Sequence, residues 1–257
     1  MRHLFYVALF GVALLPAVGA AEDASALVGG TDVADFERAS RLYEARIAEN
    51  PDDFAARVGA AIALNQIMAV RSNGNLPLVD GLQDTPANKA LWSELAPRAL
   101  EHARAALALR PGSPEAATTI ATSYMFHASS LGIISSILSG AAGEFRTHAG
   151  RLIDDHPRHE DALGDYMMGS FLLVAPWPVS DMDEARVHFT KAAELAPSSA
   201  RNEYGLAVYW AREGDASRAR THFEKAVAMP CTANSERLFC DFIKQTSKRE
   251  LGRLGSR

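Results

Sequence analysis

Ala185-Arg186-Val187-His188-Phe189-Thr190-Lys191-Ala192-Ala193-Glu194-Leu195-Ala196-Pro197 returns 34 residues later as Ala219-Arg220-Thr221-His222-Phe223-Glu224-Lys225-Ala226-Val227-Ala228-Met229-Pro230, with the final Pro one residue early. Spacings of four and three residues put Ala185, Phe189 and Ala192 on one face of a helix, and Ala219, Phe223 and Ala226 do the same. Such a face lets a neighbouring backbone approach closely at the alanines while the ring fills the gap between them. Recurrence at 34 residues is the length of a two-helix unit that cannot bury its apolar face alone and stacks on its neighbours. The proline has its own cause: it cannot continue a helix, so it ends each second helix and turns the chain into the next unit.

With Ala185 set as repeat position 20, the diagnostic slots are 20, 24, 27 and a Pro at 32. Ala99, Ala103, Ala106 and Pro111 fill them, Phe145, Ala149, Leu152 and Pro157 fill them more loosely, and Ala39, Tyr43, Arg46 and Pro51 in part. First helices follow each Pro, with Ala60, Ala61 and Leu64, then Ile120, Ala121 and Tyr124, then Tyr166 and Met167, then Leu206, Ala207 and Trp210 as their packing residues. Gly214-Asp215 falls where the tight turn inside a unit belongs.

An uninterrupted unit has 22 residues from its Pro to the next position 20. The four intervals here exceed that by 26, 12, 6 and 0 residues in chain order, always between the first and second helix. Insertions at one slot of a stack emerge along one edge, so one rim carries elaborations that shrink toward the C-terminus. The longest, about Arg71 to Asn88, reads as irregular loop from its Asn73-Gly74, Pro77, Gly81 and Pro86. Leu131 to Leu138 reads as extra apolar helix, and Ala175-Pro176-Trp177-Pro178 as a rigid turn whose Trp177 is either exposed or a plug under the rim.

The ends have a different character. Arg2 and His3 precede the apolar Leu4 to Leu15, then Pro16 and the small residues Ala17 to Ala20: the layout of a secretory signal cleaved after Ala20. An uncleaved anchor is the competing reading, although the apolar run is short for a span. Asp32 caps a helix over 32–50 with the stripe Phe36, Ala39, Tyr43 and Ile47, and a helix over about 235–250 places Leu238, Phe239, Phe242 and Ile243 on one side to cover the last unit. The expected organisation is therefore a signal peptide over 1–20 and one all-α domain over 21–257. Its repeats lie at about 54–113, 114–159, 160–199 and 200–233, between the two capping helices. Export, to a periplasmic location, would let Cys231 and Cys240 form a disulfide; two buried free thiols are the alternative.

These residues resemble the tetratricopeptide-repeat proteins over roughly Asp35 to Pro230, and the resemblance implies an all-α helix-hairpin solenoid of about four repeats. The inserted pattern, with Gly132-Ile133, Ala162-Leu163 and Pro176 to Asp181, is also similar to the periplasmic T-component of TRAP transporters and to the regulator of microtubule dynamics family. Tetratricopeptide arrays bind a protein or peptide partner in a concave groove lined by their first helices. The matching positions here are Val58, Ile62 and Asn65; Thr118, Thr122 and Met125; Met168 and Phe171; Arg201, Tyr204 and Val208. This is an apolar, Met- and aromatic-bearing surface suited to amphipathic partners. Of the Lys, Arg and Asn set that clamps a terminal carboxylate in such arrays, Arg201 alone remains. The groove is either open or filled by the apolar insertions.

His102, His148, His188 and His222 share position 23 in four second helices. Neighbouring helices lie about 8–10 Å apart, too far for one metal needing ligands at about 2 Å, so the residues read as polar aromatics at a half-exposed slot. Asp154-Asp155-His156-Pro157-Arg158-His159-Glu160-Asp161 has ligand-type chemistry but spans an inter-repeat turn. The sequence has no nucleophile elbow, phosphate-cradling glycine loop or His-Glu metal helix, so no catalytic residue, metal or cofactor is expected. The net charge of −5 gives no reason to expect nucleic acid. The function expected is a non-catalytic exported scaffold for a protein partner, with no stable membrane insertion once the signal is removed. A carrier enclosing a small apolar ligand beneath Ile133 to Leu138 is the alternative.

Overall fold

A computed structural model describes residues 23–72, 85–175, 177 and 179–255. The leader read at 1–20 and most of the first insertion lie outside the described residues. Among the described residues there are helices and no strand: α1 (Ala24–Val28), α2 (Val33–Glu49), α3 (Phe54–Arg71), α4 (Pro86–Leu109), α5 (Pro114–Leu131), α6 (Ile133–Leu138), α7 (Ala141–Asp155), α8 (Leu163–Val174), α9 (Met182–Leu195), α10 (Ala200–Arg212), α11 (Ala216–Ala228), α12 (Asn234–Arg237) and α13 (Cys240–Gly255).

Local signals set the helix ends. Asp32, Asp53, Thr85, Ser113, Asp181, Ser199 and Asp215 each accept a hydrogen bond from a first-turn backbone N–H, which satisfies a donor the helix cannot. At the other end, α2, α4, α7 and α9 stop two residues before Pro51, Pro111, Pro157 and Pro197, because the residue before a proline is pushed out of the helical region. Gly214, with φ of 79°, makes the tight turn between α10 and α11.

Antiparallel pairs α3–α4, α5–α7, α8–α9 and α10–α11 pack in succession, with α1 and α2 at the start and α12 and α13 at the end. The fold is thus an all-α solenoid of helix hairpins, of the tetratricopeptide kind. Ala99, Ala103, Ala106, Ala185, Phe189, Ala192, Ala219, Phe223 and Ala226 are all buried on the second helices. The rings make a tier through the stack: Tyr166 meets Phe189 edge-on at 5.9 Å, and Tyr204 meets Phe223 and Phe242 at 6.1 Å each.

The glycines of the first helices fit this tier. A Cβ on Gly59 would lie 2.2 Å from the Tyr43 ring, and one on Gly205 would lie 2.7 Å from Phe189. Each glycine follows the aromatic residue it admits by 16 positions, so the helix that starts a unit sits directly on the ring of the unit before.

The first insertion is more ordered at its C-terminal end than its composition indicates. α4 begins at Pro86 rather than after Asn88, and Pro97 lies inside it. Trp92, Leu95, Ala96 and Ala99 form a stripe at helical spacing and are buried. Trp92 stacks near Phe126 at 6.2 Å and donates its Nε1–H to Ser72 Oγ at 2.6 Å. That burial carries the helix through Pro97 to its stop before Pro111.

The second insertion contains the extra helix α6, entered and left through Gly132 (φ 77°) and Gly140 (φ 78°). It packs on α5 and α7 and leaves Ile137 and Leu138 exposed. Trp177 is 87% exposed, so it is no plug.

The position-23 histidines are more buried than their slot suggests, and three of them pair with a carboxylate on a preceding helix. His102 lies between Glu44 Oε1 (2.9 Å) and Arg57 Nη1 (3.1 Å). His188 bonds the fully buried Asp165 at 2.8 Å, and His222 bonds Glu203 at 2.6 Å. His148 instead stacks on Tyr124, centroids 5.6 Å apart. Among the described residues no helix is long and apolar enough to cross a membrane.

Candidate functional site

First helices line the inner side of a stack of hairpins, and here that side holds a cavity of about 300 Å³. α3 contributes Ile62, Asn65, Gln66 and Ala69; α5 contributes Glu115, Thr118, Thr119, Thr122, Met125 and Phe126; α8 contributes Leu163, Tyr166 and Met167; α10 contributes Arg201. The α7–α8 turn adds His159 and Glu160, and the C-terminal segment adds Asn234, Ser235, Leu238 and Phe239. Periodicity explains the lining on α5: 115, 118, 119, 122, 125 and 126 recur at three and four residues and form one stripe.

Buried hydrogen bonds join α3 to α5 at the floor. Asn65 Nδ2 donates to Ser123 Oγ (3.1 Å) and Thr119 O (3.4 Å), and Ser123 Oγ in turn donates to Thr119 O at 2.8 Å. Two polar atoms of the lining are buried without a hydrogen-bond partner: Gln66 Oε1 and Thr118 Oγ1.

The C-terminal wall is held by a second polar cluster centred on Arg201, a side chain 1% exposed. Its Nη2 donates to the carbonyls of Glu160 and Asp161, both at 2.8 Å, its Nη1 to Ser235 Oγ, and its Nε to Asn202 Oδ1 at 3.4 Å. The guanidinium lies 4.9 Å from the centre of the Tyr166 ring. Burial pulls its pKa below the ordinary value, and Glu236 acts in the opposite sense. Glu236, itself fully buried, accepts from Ser199 Oγ and from the Arg201 backbone N–H.

Arg201 thereby secures a strained turn. Glu160, Asp161 and Ala162 are consecutive non-glycine residues at φ of 45°, 56° and 60°, a conformation that costs an L-residue about 1–2 kcal/mol. The Glu160 and Asp161 carbonyls accept from Arg201, and Asp161 O also from Asn202, while the Glu160 carboxylate accepts from Asn234 Nδ2 (3.2 Å) and Ser235 N (3.1 Å). The acidic segment around Pro157 is therefore engaged in joining helices. Arg158 caps Leu195 O at 2.7 Å, and His156 bonds Gly112 O at 3.0 Å. No group of three or more His, Cys, Asp or Glu among the described residues is placed to hold a metal.

Cys231 and Cys240 are bonded, their Cα atoms 5.8 Å apart. The ring they close contains all four cavity-lining residues of the C-terminal segment. Phe242, beyond the ring, covers Tyr204.

Sequence-derived groove positions divide into two sets. Ile62, Asn65, Thr118, Thr122, Met125 and Arg201 meet around the cavity. The others do not. Val58 is buried against Ala106 and Ala116, Met168 and Val208 lie within the main core, and Phe171 packs on it beside Phe145. Tyr204 is fully buried between Phe223 and Phe242. The hollow is thus shorter than a groove over four repeats, and the C-terminal segment supplies one of its walls. No described side chain of α6 is among the lining residues. Leu238 and Phe239, read from sequence as a cap, pack on the core and also form wall; Gln66 and Glu115 went unread, and His159 and Glu160 were read only as part of an inter-repeat turn, because polar residues near helix ends have many roles.

No family model matches the chain, and no curated protein does so either. Among solved structures, the chain is similar to the crystal structure of the yeast Tom70, at 14% identity and a TM-score of 0.27, over 92% of this chain and 66% of that one.

Thr119 and Thr122 donate their hydroxyls to backbone carbonyls, Ser235 accepts from Arg201, and none of these hydroxyls is bonded to a histidine. Burial holds the His159 pKa below its usual value and favours the neutral ring.

Proposed function

We propose that the protein is a non-catalytic binding scaffold whose cavity receives a short apolar segment presented by a partner protein. The observation that carries this reading is the cavity itself: a largely apolar hollow on the inner face, framed by four first helices and carrying a few polar atoms. Concave apolar sites with sparse polar groups are the usual form of a recognition site, and Met125 and Met167 supply side chains that adapt to varied occupants. Stacked helices hold these contacts in place, so most of the ordering entropy on association falls on the partner. The exposed Ile137, Leu138 and Trp177 on the rim offer supplementary contacts.

The protein acts after export in this reading, consistent with the leader-like residues at 1–20 and with a bonded Cys231–Cys240 pair. A photo-crosslinker at Thr122, used in the cell envelope, tests the proposal. The expected result is a discrete crosslinked protein that disappears in Met125→Glu while the helical circular-dichroism signal persists. Identical crosslinks from Met125→Glu contradict it.

One observation favours a second reading. Leu238 and Phe239 close the C-terminal end of the hollow, and about 300 Å³ is within the range that encloses a small molecule. A carrier of a free apolar ligand would retain that ligand in native mass spectra of the purified protein, and a partner-binding scaffold would not.

A further inference from the structure

We propose that the occupant of the cavity carries a cationic, hydrogen-bond-donating head, an ammonium group, on its apolar body. This rests on the reading of the cavity as a binding site and adds the chemistry of what it selects. The unbonded polar atoms of Gln66 and Thr118, two of the lining residues, can both accept. Gln66 donates its Nε2 to Val28 O at 2.9 Å; turning the amide over would set oxygen against oxygen, so Oε1 is the atom left buried and unbonded at the cavity. Thr122 has its only proton on Thr118 O at 2.9 Å and can offer the cavity nothing but lone pairs. Thr118 Oγ1, also unbonded, can accept as well as donate.

The donors of Arg201 and Asn65, by contrast, are engaged. The Arg201 N–H groups are directed at Glu160 O, Asp161 O, Ser235 Oγ and Asn202 Oδ1. Asn65 Nδ2 is directed at Ser123 and Thr119. A carboxylate entering the cavity would find few free donors and would meet the charges of Glu115 and Glu160, against Arg201 as the one cation among the described lining residues. The charge on Glu115 persists at neutral pH: burial acts to raise its pKa, but the Ser113 hydroxyl bond (2.6 Å) and its own backbone N–H bring it below the ordinary value. An ammonium meets the opposite situation, with acceptors to fill and a negative balance of charge.

Titration calorimetry at pH 7 with n-octylammonium, n-octanol and n-octanoate, each below its self-association concentration, tests this. Octylammonium is expected to bind at least tenfold more tightly than octanoate, and Gln66→Leu and Glu115→Gln are each expected to cut that preference at least fivefold. Octanoate binding as tightly as octylammonium, or a preference unmoved by both substitutions, overturns the inference while the cavity reading stands. If none of the three binds, the cavity reading itself fails. Capped Leu-Leu-Lys and Leu-Leu-Glu peptides separate the sources of the head. A Lys peptide tighter than octylammonium assigns it to a partner's segment, and the reverse order assigns it to a free amine. Equal binding of the two peptides counts against the ammonium head.

Discussion

Arg201 donates to the carbonyl of Asp161 at 2.8 Å across 40 residues of sequence, and in doing so joins the left-handed turn before α8 to the first turn of α10. Because the guanidinium is forked and planar, the same group reaches Glu160 O and Ser235 Oγ. Replacing it leaves Glu160 O without its Arg201 partner and Asp161 O with Asn202 alone, at about 1–3 kcal/mol for an unmet group. Arg201→Met is therefore expected to lower unfolding free energy by roughly 3 kcal/mol, and Arg201→Lys to recover less than half of that loss. Urea unfolding of the three proteins checks it; full rescue by Lys would show that charge alone is what the site needs.

The Cys231–Cys240 bond closes a short ring that carries Asn234, Ser235, Leu238 and Phe239 into the cavity wall. Chain-entropy arguments give a ring of this size roughly 2–3 kcal/mol of stabilisation. In the Cys231→Ser/Cys240→Ser double variant, amide hydrogen exchange is expected to speed up first in residues 234–239, and affinity for any cavity ligand to fall several-fold. Uniformly faster exchange along the chain, with affinity unchanged, would mean that the bond only stabilises the end of the stack.

A pair of glycines separates propensity from packing. Gly→Ala inside a helix gains about 1 kcal/mol from propensity alone. At Gly150 on α7 an added Cβ meets nothing within 4 Å, so Gly150→Ala is expected to stabilise. At Gly59 the Cβ would meet the Tyr43 ring at 2.2–2.5 Å, and overpacking of about 1–3 kcal/mol outweighs the gain. Thermal melts of the two variants are expected to move in opposite directions.

Acid is expected to weaken the fold in two stages. Burial, with help from Arg151, holds His148 below its ordinary pKa, so the folded state prefers the neutral ring. The associated stability is complete above about pH 6.5 and is lost as pH falls toward the lowered folded value. For Glu203 burial acts upward, but the hydrogen bond from His222 and the charges of His222 and Lys225 outweigh it and leave the pKa lowered. Its contribution is present above about pH 4.3 and disappears below that. Urea midpoints should decline from pH 7 to 5.5, and decline less in His148→Phe; a midpoint that rises on acidification would contradict the assignment.

Much of the fold was legible because the signals were local and repeated. Ala185, Phe189, Ala192 and Pro197 report a helix face and its end within thirteen residues, and the copies agree in frame. The 16-residue step from Tyr43 to Gly59 and from Phe189 to Gly205 was equally present in the sequence, and its meaning becomes plain once the ring is seen against the glycine. The start of α4 was obscured because Pro86 was read as loop, whereas it stands in the first turn after the Thr85 cap, where a proline suits a helix. The site was legible only in part. Thr118, Thr122 and Met125 follow from helix periodicity, whereas the closure of the groove depends on where a segment after the last repeat folds back. Nothing local in Leu238-Phe239 distinguishes a cap over the end of a stack from a wall inside it.

The central claim is that the hollow between α3, α5, α8 and α12 is where a partner group binds, and its methionines report on it directly. Met125 and Met167 line the cavity, while Met229 lies outside the lining. Titrating octylammonium into protein labelled at the methionine methyl groups should move the Met125 and Met167 resonances along saturable curves with one shared dissociation constant, leaving Met229 in place. Resonances that all stay fixed, or a Met229 shift with Met125 and Met167 unmoved, would contradict the account.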